Sequence, residues 1–186
     1  TLLADLLNFG TAHQQYAGHE TSNLINAEMT DLHKSFASSY ELELEDLQNP
    51  SYTTIENPTA QFKGATLTLM NAVLVQLIMT CEDTSDVALK IEADGVETMI
   101  PASEWNYNAT TKRYTYDFKG LQAKQMSSVI YATICRNGVA ISNTICYSVE
   151  SYAARNIGNT SQTQQLRDLL KYMMYYGNSA AAYFSK

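Results

Sequence analysis

At 186 residues, 20.7 kDa and 45% apolar residues, the chain is long enough to bury a full hydrophobic core, and one domain with helical additions is expected. Its formal charge of −7 is concentrated: of 19 acids and 12 bases, residues 1–50 hold eight acids (Asp5, Glu20, Glu28, Asp31, Glu41, Glu43, Glu45, Asp46) and one base, Lys34, leaving 11 of each elsewhere. An acidic segment without a Lys/Arg stripe argues against nucleic acid as a partner, and no apolar run approaches the roughly 18 residues of a spanning helix, so a soluble chain without membrane insertion is expected.

In chain order, the first element is a helix over residues 2–16, with Leu3, Leu6, Leu7 and Gly10 on one face at the i, i+3, i+4, i+7 spacing. A short helix around Thr30 to Tyr40 is expected next, N-capped by Thr30 or Asp31. The period then changes to two, and Glu41-Leu42-Glu43-Leu44-Glu45 alternates as a strand with one wet and one buried face. Asn49-Pro50 and Asn57-Pro58 bracket a short extended segment. Residues 66–70, 72–81 and 87–93 are the most strand-like. Asp94-Gly95 and Asn137-Gly138 each mark a hairpin, the second joining 128–135 to 139–147. Residues 112–118 place Tyr114, Tyr116 and Phe118 on one face of a further strand. A short helix near 148–156, a turn at Ile157-Gly158-Asn159 and a last helix from about Gln162 to Phe184 close the chain, with Ser161 and Gln164 at capping-box spacing.

Six to eight short strands with no helix between consecutive ones indicate an α+β fold: an antiparallel, immunoglobulin-like β-sandwich with packed N- and C-terminal helices. The division expected is a helical segment over 1–40, a sandwich over 41–147, and C-terminal helices over 148–186 packed on it as a single structural unit.

The two ends repeat each other. Leu2-Leu3-Ala4-Asp5-Leu6-Leu7-Asn8-Phe9-Gly10 matches Leu169-Leu170-Lys171-Tyr172-Met173-Met174-Tyr175-Tyr176-Gly177, and Gly10 to Gly177 and Tyr16 to Tyr183 each span 167 positions. A glycine inside a helix costs roughly 1 kcal/mol relative to alanine, so Gly10 and Gly177 are expected at close helix contacts. The repeat points to one period of a longer tandem array, opening with the closing helix of a preceding unit. The start at Thr1 in place of methionine fits a chain relieved of a leader or upstream modules.

The segment Tyr147-Ser148-Val149-Glu150-Ser151-Tyr152-Ala153-Ala154-Arg155, followed by Leu169 to Gly177, resembles the closing signature of a domain family in uncharacterised secreted or surface proteins of gut and rumen anaerobic Gram-positive bacteria. Asn57-Pro58-Thr59, Lys63-Gly64-Ala65, Ile100-Pro101-Ala102, Gly120-Leu121, Gln125-Met126 and Val129 to Thr133 fit the same pattern, so the likeness spans nearly the whole chain. It implies an extracellular or cell-surface module embedded beside glycan-active, wall-anchoring or adhesive neighbours, and brings no catalytic or binding residues with it.

No reactive constellation stands out. Cys81, Cys135 and Cys146 are odd in number and widely spaced, unlike a disulfide framework or zinc site, and are expected to pack as reduced thiols. His13 and His19, six apart, point to different helix faces; His33 stands alone. Glu41, Glu43, Glu45 and Asp46 could offer carboxylates to Ca²⁺, but alternating glutamates equally protect an edge strand; no metal or cofactor is assigned. Asn108-Ala109-Thr110 and Asn159-Thr160-Ser161 match the glycosylation sequon, which carries little weight in a bacterial protein. Trp105, the single tryptophan, lies in Glu104-Trp105-Asn106-Tyr107. An exposed ring flanked by carboxylate and amide groups suits sugar stacking; the competing reading is a tryptophan packed over the sandwich edge. Two functions follow as expectations. The first is a non-catalytic extracellular module with a spacer, presentation or protein-contact role, whose partners are neighbouring domains of the same polypeptide or a surface protein. The alternative is a carbohydrate-binding module using Glu104, Trp105, Asn106 and Tyr107.

Overall fold

The computed structural model describes residues 1–20, 22, 35–47, 51–69 and 73–185, with 51–53 described by backbone alone. The expected helix cap at Thr30 or Asp31, His33, and the Asn49-Pro50 boundary lie outside the described residues. The chain forms two compact units, one of residues 1–46, 121–127 and 150–186, the other of 47–120 and 128–149. Residues 41–46 and 121–127 belong to the first, helical unit.

The second unit holds the strands β1 (Ser51–Thr53), β2 (Ala60–Thr68), β3 (Leu74–Cys81), β4 (Val87–Ala93), β5 (Val96–Pro101), β6 (Asn106–Asn108), β7 (Arg113–Phe118), β8 (Ile130–Arg136), β9 (Val139–Ala140) and β10 (Thr144–Tyr147). Among the described residues they build two antiparallel sheets, in the orders β1-β10-β8-β4-β5, with β9 on β8, and β2-β3-β7-β6. This architecture is consistent with a β-sandwich. Alternation along β3 and β4 buries Val75, Leu77, Met79 and Cys81 from one sheet and Val87, Leu89 and Ile91 from the other. Each large apolar side chain so buried contributes about 1.5–3 kcal/mol relative to exposure.

Both hairpins fall where their dipeptides put them. Asp94-Gly95 and Asn137-Gly138 have positive φ at both positions (50° and 75°; 49° and 80°), the type I′ geometry that matches strand twist. Two strand expectations change. The run 139–147 is broken into β9 and β10 because the buried Ser142 hydroxyl oxygen accepts from the Ile134 N–H at 2.8 Å, replacing a ladder carbonyl and letting the chain kink. β2 begins at Ala60, well before Thr66, and carries an irregularity between Phe62 and Gly64, where Gly64 adopts φ 153°. Such a bulge turns the following side chains over and erases the period-two signal.

The helical unit contains, among the described residues, α1 (Leu2–Tyr16), α2 (Val149–Ile157, which begins one residue before the unit boundary) and α3 (Gln164–Phe184). The N-cap of α3 is Thr163, whose hydroxyl oxygen accepts from the Leu166 N–H; Ser161 instead donates its N–H to Asn159 Oδ1 in a local turn, so the expected capping box does not form. The segment 41–47 is a second correction. Glu41, Glu43 and Glu45 are exposed and Leu42 and Leu44 half-buried, as the alternation predicted, but no strand ladder forms. Helix side chains take polar groups in it and just before it instead: Tyr175 Oη donates to the Tyr40 carbonyl at 2.5 Å, Glu150 accepts from the Glu45 N–H, and Asp46 pairs with Arg155 at 3.3 Å. Two-faced alternation requires a wet side and a covered side, and a helix pair covers a strip as well as a sheet does.

α1 packs on α3 through a face that its leucines do not define. Phe9 stacks on Tyr176 with ring centroids 5.7 Å apart, and Ala4, Asp5 and Ala12 are buried. The Asp5 carboxylate, 1% exposed, accepts from the Ser38 N–H at 2.7 Å, the Ser38 hydroxyl at 2.9 Å and the Ser179 hydroxyl at 2.5 Å. A buried charge so satisfied joins α1, α3 and the segment after residue 37. Asp5→Ala is expected to cost about 2 kcal/mol in chemical denaturation, because it strips a charged acceptor from three donors.

Candidate functional site

A groove of about 720 Å³ in the sheet unit lies at one end of the strands, reached by Gln61 from β2, Tyr107 from β6, Tyr114 from β7, Glu82 and Asp83 after β3, and Arg136 at the end of β8. Strand register makes its aromatic wall. Tyr107 and Tyr114 are directly opposite across the β6–β7 pair, so their rings share a face, with centroids 4.8 Å apart. The short connection is held by Asn108, whose Oδ1 accepts from the Thr110 and Thr111 N–H groups at 3.0 Å each.

The polar wall is fastened to the backbone. Arg136 Nη2 donates to the Asp83 carbonyl at 2.7 Å and lies 3.3 Å from its carboxylate, while the Ser85 N–H donates to Asp83 Oδ1. Those Ser85 hydrogen bonds, with Arg136 nearby, hold the Asp83 carboxyl below its usual range. Burial pushes the Cys81 thiol up, and its Sγ donates to the Asp83 carbonyl at 3.0 Å. None of the three cysteines is in a disulfide; Cys81 and Cys135 are buried and Cys146 half-buried. Burial raises the other two thiols as well.

The four sequence candidates do not converge. Trp105 is 7% exposed, packed edge-on against Tyr114 at 5.7 Å, so its ring cannot serve as a stacking platform; the sandwich-edge reading describes it. It is buried because the turn Ala102–Glu104, closed by the Trp105 N–H to the Ala102 carbonyl, sets its ring inward at the start of β6. Tyr107 is 55% exposed and stands in the groove wall. Asn106 is exposed but pairs with Thr115, and so lies on the opposite face from Tyr107. Glu104 is exposed and acts on Tyr116, whose phenol is raised by burial first and by Glu104 second.

The groove residues that sequence reading missed are Gln61, Asp83 and Arg136. Arg136 borders the Asn137-Gly138 turn and was visible as a hairpin position, but its meeting with Asp83 depends on β4 and β8 lying side by side. Among the described residues, no group of three or more His, Cys, Asp or Glu side chains could hold a metal ion, and Asp46 is engaged by Arg155 and Ser151. No helix in that set is long and apolar enough to cross a membrane. No protein-family model, curated protein or solved structure matches the chain.

Proposed function

We propose that the chain is a non-catalytic module of a larger bacterial surface or secreted protein, spacing or presenting neighbouring domains or making protein contacts. The observation that carries this reading is the leucine stripe of α1. Leu3, Leu6 and Leu7 are 66%, 40% and 36% exposed on a helix whose other face is packed, which suits a protein partner better than a small ligand. The site chemistry agrees with it: the buried carboxylate of Asp5 and the thiols of Cys81 and Cys135 serve internal bonds and packing. An extracellular, immunoglobulin-like module is the finer form of the proposal, supported by the resemblance of the closing segment and by the two antiparallel sheets. The test is incubation of the purified chain with plant, mucin and bacterial cell-wall glycans. Neither turnover nor saturable binding is expected, and turnover of any of them would overturn the reading.

The groove beside Tyr107 favours carbohydrate binding as the second reading, with the platform moved from Trp105 to Tyr107. An exposed phenol ring beside Gln61, Asp83 and Arg136 offers a stacking face and hydrogen-bonding groups together. On this reading Tyr107→Ala abolishes binding to the recognised glycan, measured by calorimetry, at little cost in stability. Trp105→Ala, by contrast, is expected to lower stability by about 3 kcal/mol, because its effect is the loss of a buried ring.

A further inference from the structure

We infer that the exposed stripe of α1 docks on a unit of the same kind as this chain's own helical unit, the unit that would precede it in a tandem array. This rests on the module reading above and deepens it by naming the partner. The argument is positional. At the offset of 167, Leu3, Leu6, Leu7 and Gly10 correspond to Leu170, Met173, Met174 and Gly177. In α3 the three large side chains are fully buried, and Gly177 lies so close to the turn at 123–126 that an added Cβ would stand 2.8 Å from Met126 Cγ and 3.2 Å from the Ala123 carbonyl oxygen. In α1 the counterparts Leu3 and Leu6 are exposed, and among the described residues a Cβ on Gly10 would meet nothing within 4 Å.

Among the described residues, nothing takes the place over Gly10 that the 123–126 turn takes over Gly177. The missing surface is specified by its copy in this same chain: a methionine-bearing turn seated over the helix glycine. α1 meets α3 through Phe9 and Asp5, which lie on a different part of its circumference from the stripe. One helix can therefore close a preceding unit and brace the next.

The experiment joins residues 1–168 directly to residues 2–186, so that Leu2–Tyr16 occupies the register of Leu169–Tyr183 and closes the first copy. The fusion is expected to be a folded monomer with both copies intact by hydrogen exchange. Gly10→Val in the shared helix should lower the melting temperature of the first copy by about 8 °C or more, whereas in the 186-residue chain it should leave melting unchanged or raise it. Leu3→Glu, at the most exposed leucine, gives a second comparison of the same kind. The inference is overturned if the first copy of the unsubstituted fusion is unfolded, if both substitutions are silent in the fusion, or if either destabilises the single chain as strongly as the fusion. Glycan turnover by a fusion that passes these tests would remove the non-catalytic reading and leave the docking intact.

Discussion

Leu170→Asp is expected to abolish the helical signal of the protein, while Leu3→Asp, its counterpart at the other end of the repeat, leaves that signal and its melting temperature nearly unchanged. Leu170 is fully buried in α3, in the same row as Leu166, Leu169, Met173 and Met174. An aspartate there removes about 2–5 kcal/mol of packing and adds a carboxylate with no partner in an apolar setting, whose desolvation brings the loss above about 4 kcal/mol. That is a large share of the 5–15 kcal/mol by which domains are usually stable. Leu3 is 66% exposed, so the same substitution there moves a charge into water. Circular dichroism reads the helices, and Trp105 fluorescence reads the sheet unit separately. Equal losses at both positions would show that the stripe of α1 is covered within the single chain.

Gly177→Val is expected to cost about 3 kcal/mol, and Gly10→Ala to stabilise by up to about 1 kcal/mol. The opposite signs come from one residue type in two surroundings. At Gly177 a side chain meets Met126 Cγ at 2.8 Å, its Cβ at 3.0 Å and the backbone carbonyl of Ala123 at 3.2 Å. Met126 is itself buried and its carbonyl accepts from the Glu150 N–H at 3.0 Å, so the turn cannot retreat without breaking that bond. At Gly10 the space is empty, and alanine brings only its better helix propensity. Urea denaturation of the two variants against the parent decides both signs.

The cost of a glycine inside a helix points to a close contact at Gly177, and the structure has one, with the 123–126 turn. Gly10 was marked by the same argument, and its neighbourhood is open. The helix cost of a glycine signals that something approaches, and the residue cannot say whether that neighbour is present in the same chain.

Local chemistry was legible in the sequence wherever a short-range constraint decides the structure. Asp94-Gly95 and Asn137-Gly138 determine their hairpins because type I′ turns demand positive φ at two consecutive positions, which Asp, Asn and Gly tolerate best. The 3.6-residue spacing determined α1 to its ends and the buried stripe of α3, and the alternation in 87–93 determined β4. The tertiary structure alone decided what covers each face. Glu41 to Glu45 alternates as a strand should, yet lies unladdered among helix side chains; Trp105 turned inward while Tyr107, two residues on, stayed out; and Asp83, Arg136 and Gln61 reached one groove only through the order of the strands. Periodicity along a chain divides each element into two faces, but burial depends on surfaces brought from distant positions, and that pairing is a property of the assembled sheets and helices.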